Sequence, residues 1–86
     1  MASAKLVKAM ATGKVTIQKA PKISGEVQLV FFPLLNKQTG KVEQPNSITL
    51  SNWNPIEPLK RSDVTMDHLK NSNLEDLVRK QAIVLL

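Results

Sequence analysis

Residues 72–86, Ser-Asn-Leu-Glu-Asp-Leu-Val-Arg-Lys-Gln-Ala-Ile-Val-Leu-Leu, change from a helical pattern to a strand-like pattern. Leu74, Leu77 and Val78 have the spacing i, i+3, i+4, which places their side chains on one face of a helix. The apolar run 82–86 is too short to form a helix of its own. The stretch therefore predicts a helix over about residues 73–81, followed by a closing C-terminal strand that returns to a sheet.

The start and the charges of this helix support the same prediction. Ser72 and Glu75 have the spacing of a capping box, in which each side chain accepts a hydrogen bond from the other residue's backbone N–H. Glu75 with Arg79 and Asp76 with Lys80 are i, i+4 pairs in the favourable order. A short helical turn over about residues 65–71 is expected just before this helix.

Three upstream segments have the alternating apolar pattern of half-buried strands, namely residues 14–19, 26–32 and 47–51. The second is the strongest, and its last residues are apolar on both faces. We therefore expect it to be a central strand that is covered on both sides. Residues 36–41, which include Gly40, are expected to form an exposed turn at the tip of a hairpin.

The N-terminal segment is compatible with more than one structure. Residues 5–11 fit either a strand or a helix, and Thr12-Gly13 interrupts them. A strand here would form a hairpin with residues 14–19 about Thr12-Gly13. Residues 1–12 as a whole are therefore expected to be an N-terminal strand or an extended arm.

These elements predict an α+β fold that is mainly β. We expect a small antiparallel sheet, or an open barrel or sandwich, of four to six strands with one C-terminal helix, and one domain spanning residues 1–86. A chain of 86 residues buries only roughly 60–65% of its unfolded surface. Small domains often add disulfides, a metal or a partner subunit. There is no cysteine and only one histidine, so a partner subunit is the expected completion.

The charge of the chain is unevenly distributed. The net charge is +5, and residues 1–41 contain seven lysines against a single acid, Glu26. These lysines are Lys5, Lys8, Lys14, Lys19, Lys22, Lys37 and Lys41. A basic face attracts nucleic acid or acidic protein surfaces, whereas spaced lysines can also simply keep edge strands soluble. The absence of arginine in this half counts against nucleic acid, because phosphate and base recognition favours the arginine fork.

The sequence lacks the residue patterns that catalysis and cofactor binding need. Nucleophilic catalysis requires a nucleophile, a base and an orienting group, but the chain has no cysteine and one histidine, His68, which we expect to be exposed. Its glycines are isolated, so there is no phosphate-binding loop. We therefore expect no enzyme activity, catalytic residue, cofactor or metal.

Apolar residues provide further candidate interface positions. Trp53 is expected in a proline-rich loop, just before Pro55 and Pro58, where it either caps the core or is an exposed interface anchor. Leu85 and Leu86 end the chain in an apolar run. The candidate interface therefore comprises the seven lysines, Trp53, Leu85 and Leu86.

No apolar run approaches the ~20 residues needed to span a bilayer, and no apolar segment of signal-peptide length follows the N-terminus. We therefore expect no membrane partner and a location in the cytoplasm or in a particle that is assembled there.

Part of the chain resembles small virion proteins of tailed bacteriophages. The similarity covers residues 54–85: the proline-rich segment 54–59, the Ser72-x-Leu74-x-x-Leu77 helix and the apolar strand 82–85. Gln81 stands where these proteins usually have a glycine between the helix and the strand. The resemblance implies a non-enzymatic structural part, such as a capsid cement, neck or tail component, and transfers no functional residue.

Three functional hypotheses follow. The first is a structural subunit that pairs with other protein subunits, as a homo-oligomer or a hetero-complex, most plausibly in a phage particle. The second is a small basic nucleic-acid-binding module, and the third is a soluble adaptor or inhibitor of one partner protein.

Overall fold

The computed structural model describes residues 4–51 and 54–86. Six short strands and three α-helices give a small α+β fold, as predicted from the sequence. The elements are α1 (Ala4–Thr12), β1 (Ile17–Lys19), β2 (Val27–Leu29), β3 (Leu34–Asn36), β4 (Lys41–Glu43), β5 (Ile48–Leu50), a 3₁₀ turn (Pro58–Lys60), α2 (Met66–Lys70), α3 (Leu74–Arg79) and β6 (Ile83–Leu85). The strands form three antiparallel pairs, β1–β6, β2–β5 and β3–β4.

The first pair joins the N-terminal half of the chain to its C-terminus. Ile17 lies opposite Leu85 in the register of β1 and β6, and the side chains of both residues are buried. On the other side of β1, Ile17 and Ile56 exchange two backbone hydrogen bonds of 2.9 and 2.8 Å. The predicted closing strand is therefore confirmed, and it pairs with β1.

The second pair supplies much of the core. Buried residues alternate with exposed ones in both strands, and the buried side chains are those of Val27, Leu29, Ile48 and Leu50. This pattern confirms the predicted strand within 47–51. The strand predicted over 26–32 is confirmed at Val27–Leu29, but the expectation that its second half is a central strand covered on both sides is wrong. β2 ends at Leu29 and its only neighbouring strand within the described residues is β5.

Residues 30–33 are held by the segment before α3 rather than by a strand. Asn73 Oδ1 accepts from the Val30 N–H (2.8 Å), and the Asn73 N–H donates to the Val30 carbonyl (3.1 Å). The Asn73 amide also donates to the Gln28 carbonyl (3.0 Å). The side-chain amide of Asn71 donates to the carbonyls of Phe32 (3.2 Å) and Pro33 (3.0 Å). These side-chain amides add to the backbone hydrogen bonds of an isolated antiparallel bridge between Phe31 and Ser72.

The two C-terminal helices agree with the predicted pattern, but their caps differ from it. α3 begins at Leu74 with Asn73 as its N-cap, one residue after the predicted Ser72. The capping box is instead at the start of α2, where Thr65 and His68 bond to each other's backbone N–H groups. In α3, the predicted pair of Asp76 with Lys80 is present at 2.9 Å.

The expected strand or arm over residues 1–12 is wrong for the residues that the structure describes, because residues 4–12 form α1. Leu6, Ala9 and Met10 have helical spacing and pack against the core, which explains why a helix is favoured. The expected hairpin about Thr12-Gly13 is also wrong, since β1 pairs with β6.

The core lies between the β1–β6 and β2–β5 pairs and the three helices. Its most completely buried side chains are Ile17, Leu29, Phe31, Leu50, Pro58, Leu69 and Leu74. The turn between α3 and β6 places Gln81 at a φ of 58°. This left-handed conformation favours glycine, and Gln81 adopts it here.

Candidate protein interface

The tip of the β3–β4 hairpin is a tightly bonded turn. Asn36 Oδ1 accepts from the N–H groups of Gln38 (2.9 Å) and Thr39 (3.3 Å), and the Gly40 N–H donates to the Asn36 carbonyl (2.7 Å). Gly40 has a φ of 73°, which side chains disfavour. The exposed turn predicted at residues 36–41 is confirmed. The turn fixes the register of the two strands that it joins.

The inner face of the hairpin contacts α2 through polar groups. The Asn36 amide donates to Glu43 Oε2 across the hairpin (3.1 Å). The other oxygen of Glu43, Oε1, lies 3.3 Å from His68 Nε2. A cavity of about 480 Å³ between the hairpin and α2 is lined by Asn36, Glu43, Asp67 and His68, among others. The carboxylate of Glu43 thus links the hairpin to the body of the protein.

His68 is buried, and the expectation of an exposed surface histidine is wrong. Only 4% of the residue is accessible, and Glu43 of the hairpin lies beside its ring. The backbone N–H of Thr65 donates to His68 Nδ1 (3.0 Å), so the neutral ring carries its proton on Nε2. Within the described residues Nε2 has no hydrogen-bond partner. Its 3.3 Å separation from Glu43 Oε1 is therefore a close polar contact rather than an aligned hydrogen bond.

The outer face of the hairpin is apolar. Leu35 and Val42 are directly opposite each other in the register, and they are 55% and 66% exposed. Phe32, just before β3, is also exposed. In the part of the chain that the structure describes, no further strand pairs with either edge of this hairpin.

Sequence reasoning missed Leu35 and Val42 as interface residues. The available signal was the turn itself: a hairpin that turns at residues 37–40 pairs residue 35 with residue 42. Both residues are then on the same face, opposite to the face of Asn36.

The seven candidate lysines are distributed over several elements, and one of them is not at the surface. Lys19 is wrong as an interface residue, since it is only 3% exposed. It shares the inward face of β1 with Ile17, and its ammonium group donates to the Ile23 carbonyl. The other six are exposed: Lys5 and Lys8 on α1, Lys14 after it, Lys22 after β1, and Lys37 and Lys41 at the hairpin tip.

The apolar candidates have different outcomes. Leu85 is wrong as an exposed interface residue, because its side chain faces the core opposite Ile17. Leu86 is exposed. Trp53 lies outside the described residues.

Three of the exposed carboxylates, those of Glu57, Asp63 and Asp76, form ion pairs with nearby basic side chains. Hydrogen bonds from Lys80 and Arg79 hold the pKa of Asp76 below its ordinary value. The Arg61 guanidinium, bonded to Asp63 through two nitrogens at 2.9 and 2.6 Å, lowers the pKa of that carboxyl. A hydrogen bond from Lys60 lowers the pKa of Glu57. These three carboxylates therefore stabilise surface turns and helix ends.

Neither a family, a curated protein nor a solved structure was found to match this chain. Over residues 4–51 and 54–86, no cluster of three or more histidine, cysteine or acidic side chains could hold a metal ion. The helices among the described residues are all too short or too polar to cross a membrane.

Proposed function

We propose that this chain is a non-enzymatic structural subunit of a larger assembly and that the β3–β4 hairpin is the part it presents to a neighbouring subunit. The observation that carries this proposal is the outward-facing pair Leu35 and Val42, which lie side by side and are more than half exposed. Exposed apolar patches of this kind are typical of interaction sites when they are contiguous.

The architecture of the hairpin supports a docking role. A two-stranded hairpin is at best marginally stable alone in water, and this one is attached to the protein on its inner face through Glu43 and His68. Burying a leucine or valine side chain fully contributes roughly 1.5–3 kcal/mol. Covering Leu35 and Val42 would therefore stabilise both the hairpin and the complex.

The charges at the tip indicate what kind of neighbour fits. Lys37 and Lys41 are both exposed at the end of the hairpin, and no acid lies between them in the sequence. Exposed lysines near an apolar patch guide docking to acidic surfaces and add specificity; Lys37 lies in the turn, and Lys41, opposite Asn36 in the register, lies at the edge of the hairpin away from Leu35 and Val42. The proposed neighbour is a protein subunit with an apolar depression and an acidic rim.

The narrower form of the proposal is a bacteriophage virion component, such as a capsid cement, neck or tail part, located in the virion and assembled in the host cytoplasm. Its support is the resemblance of residues 54–85 to small virion proteins. Over that range the described residues form an isolated bridge of Ile56 to Ile17, the helices α2 and α3, and the closing strand β6.

The test is affinity capture of particle proteins from the native source by the purified, tagged chain. The variant is L35S/V42S. The matched control is Q28S/T49S, because Gln28 and Thr49 are also an exposed cross-strand pair, on β2 and β5. We expect the wild type and the control to bind other subunits of one particle. The hairpin variant is expected to lose at least about 90% of this binding. This loss corresponds to an affinity that is about tenfold weaker, or about 1.4 kcal/mol of binding free energy.

Two outcomes would overturn the proposal. One is a wild-type chain that stays monomeric and captures no particle component. The other is a folded L35S/V42S variant that captures the same proteins in the same amounts as the wild type. Circular dichroism spectra of the variants establish that each remains folded.

A further inference from the structure

An apolar groove runs along β6, on a part of the surface that shares no lining residue with the hairpin. Its volume is about 610 Å³, and it lies between α1, the loop after β1, the end of α3 and β6 itself. Val78 and the exposed Val84 contribute to its apolar lining, and Lys5 and Lys22 line it as charged residues. The groove is therefore an apolar channel with ammonium groups beside it.

The hydrogen-bond pattern of β1 and β6 shows that β6 has a free edge along this groove. The Leu86 N–H donates to the Thr16 carbonyl and the Ala20 N–H donates to the Ala82 carbonyl, both at 2.9 Å. Antiparallel pairing alternates, so the N–H and C=O groups of Ile83 and Leu85 point away from β1.

The opposite edge of β1 confirms this alternation. Ile17, which lies opposite Leu85, directs its own N–H and C=O groups away from β6 and bonds Ile56 with them. No strand among the described residues pairs with the outer edge of β6. The backbone groups of Ile83 and Leu85 thus remain available to an added strand.

The charges of Lys5 and Lys22 indicate which kind of segment could pair with the outer edge of β6. A second copy of the chain would bring the same two lysines, Lys5 and Lys22, and a net charge of +5 to the same groove, and like charges oppose such pairing. An acidic segment would instead pair its carboxylates with these lysines. Lys22 is already directed along the wall of the groove, where its ammonium donates to Gln81 Oε1 (2.9 Å).

We propose that the outer edge of β6 is a docking site for an extended segment of a partner protein that carries acidic side chains on either side of apolar ones. The segment adds a strand next to β6. Its backbone pairs with Ile83 and Leu85, its apolar side chains cover Val78 and Val84, and its carboxylates meet Lys5 and Lys22. This site is independent of the hairpin proposed above as the subunit contact.

The experiment selects binders from a randomised library of short displayed peptides against the purified chain. We expect the enriched peptides to combine acidic residues with β-branched ones. Amide hydrogen exchange with the best enriched peptide is expected to slow at Ile83 and Leu85 by at least about tenfold at saturation, because these N–H groups gain hydrogen bonds.

Charge-reversed variants supply the matched comparison. K5E/K22E is expected to weaken binding of the enriched peptide by at least about tenfold, while K37E/K41E, with the same net charge, leaves the affinity within about twofold. The L35S/V42S variant is expected to bind the peptide as the wild type does, which separates this site from the hairpin.

Three results would overturn the proposal. They are no enrichment of acidic peptides, unchanged exchange at Ile83 and Leu85 in the complex, and equal losses of affinity in K5E/K22E and K37E/K41E. Concentration-dependent protection of the same two amides without any peptide would show that a second copy is the occupant instead.

Discussion

His68 Nε2 in α2 and Glu43 Oε1 in β4 lie 3.3 Å apart, so a buried imidazole and a half-exposed carboxylate join the hairpin to the helical part of the protein. Because Glu43 shares the inner face of the hairpin with Asn36, this contact directs the opposite face outward. The exposure of Leu35 and Val42 is therefore a consequence of how the inner face is attached.

The first prediction concerns the buried ring. His68→Ala removes the acceptor of the Thr65 N–H and leaves a cavity under the hairpin, so we expect the free energy of unfolding to fall by about 1–3 kcal/mol. Urea denaturation followed by circular dichroism measures it. Lys70→Ala, at an exposed position of the same helix, should change stability by less than about 0.5 kcal/mol. Equal effects of the two substitutions would contradict the structural role of His68.

The second prediction concerns the attachment of the hairpin. Glu43→Ala removes the acceptor of the Asn36 amide and the carboxylate beside His68, yet polar contacts of a half-exposed carboxylate contribute little to stability, about 0–1 kcal/mol. We expect global stability to change by no more than this. Amide exchange of residues 34–43 should nevertheless become faster, while exchange at Leu29 and Leu50 stays the same. Unchanged exchange in the hairpin would show that Glu43 does not hold it.

The third prediction concerns the side-chain amide of Asn73, which bonds to the backbone of Gln28 and Val30. Asn73→Ala leaves the partly buried Val30 N–H without its side-chain partner, which costs about 1–3 kcal/mol, whereas the Gln28 carbonyl is at an exposed position and can bond to water instead. We expect a loss of stability in that range. Asn73→Asp keeps the oxygen that accepts from Val30 and should therefore lose less than Asn73→Ala. Denaturation curves in which Asn73→Asp is the less stable variant would contradict this assignment.

The fourth prediction is a dependence on acid pH. Hydrogen bonds from Lys80 and Arg79 lower the pKa of Asp76 below its ordinary value of 3.8. A lowered folded-state pKa stabilises the protein above the unfolded-state value, and this contribution is lost as the pH falls through the folded-state value. The difference in stability between the wild type and Asp76→Asn should therefore be present at pH 6 and disappear below about pH 4. A constant difference over this range would contradict the ion-pair assignment.

Local patterns predicted the parts of the fold that depend on local physics. The helix over 73–81, the strand around Ile48 and Leu50, the turn at 36–41 and the last strand all agree with the structure, because side-chain periodicity and turn chemistry act over a few residues. The conformation of residues 4–12 could not be decided in this way. Their apolar residues fit both periods, and packing of Leu6 on the core favours the helix.

Tertiary contacts determine what the sequence missed. His68 is buried beside Glu43, a tertiary contact that local patterns do not show. Lys19 is buried on the inward face of β1, where its ammonium reaches the Ile23 carbonyl. The hairpin site follows from the register of β3 and β4, which brings Leu35 and Val42 together. Candidate interface residues chosen by charge or by position at the chain end do not include Leu35 and Val42, because only the pairing of the two strands brings them together.

The most direct measurement of the proposed assembly role is density-gradient sedimentation of an extract from the native source, with the chain followed by quantitative mass spectrometry. If the chain is a structural subunit, it sediments with a large particle at a fixed ratio to the other subunits, and L35S/V42S moves to the light fractions while Q28S/T49S does not. A chain found only in the light fractions, in every variant and at every stage of particle formation, would contradict the proposal.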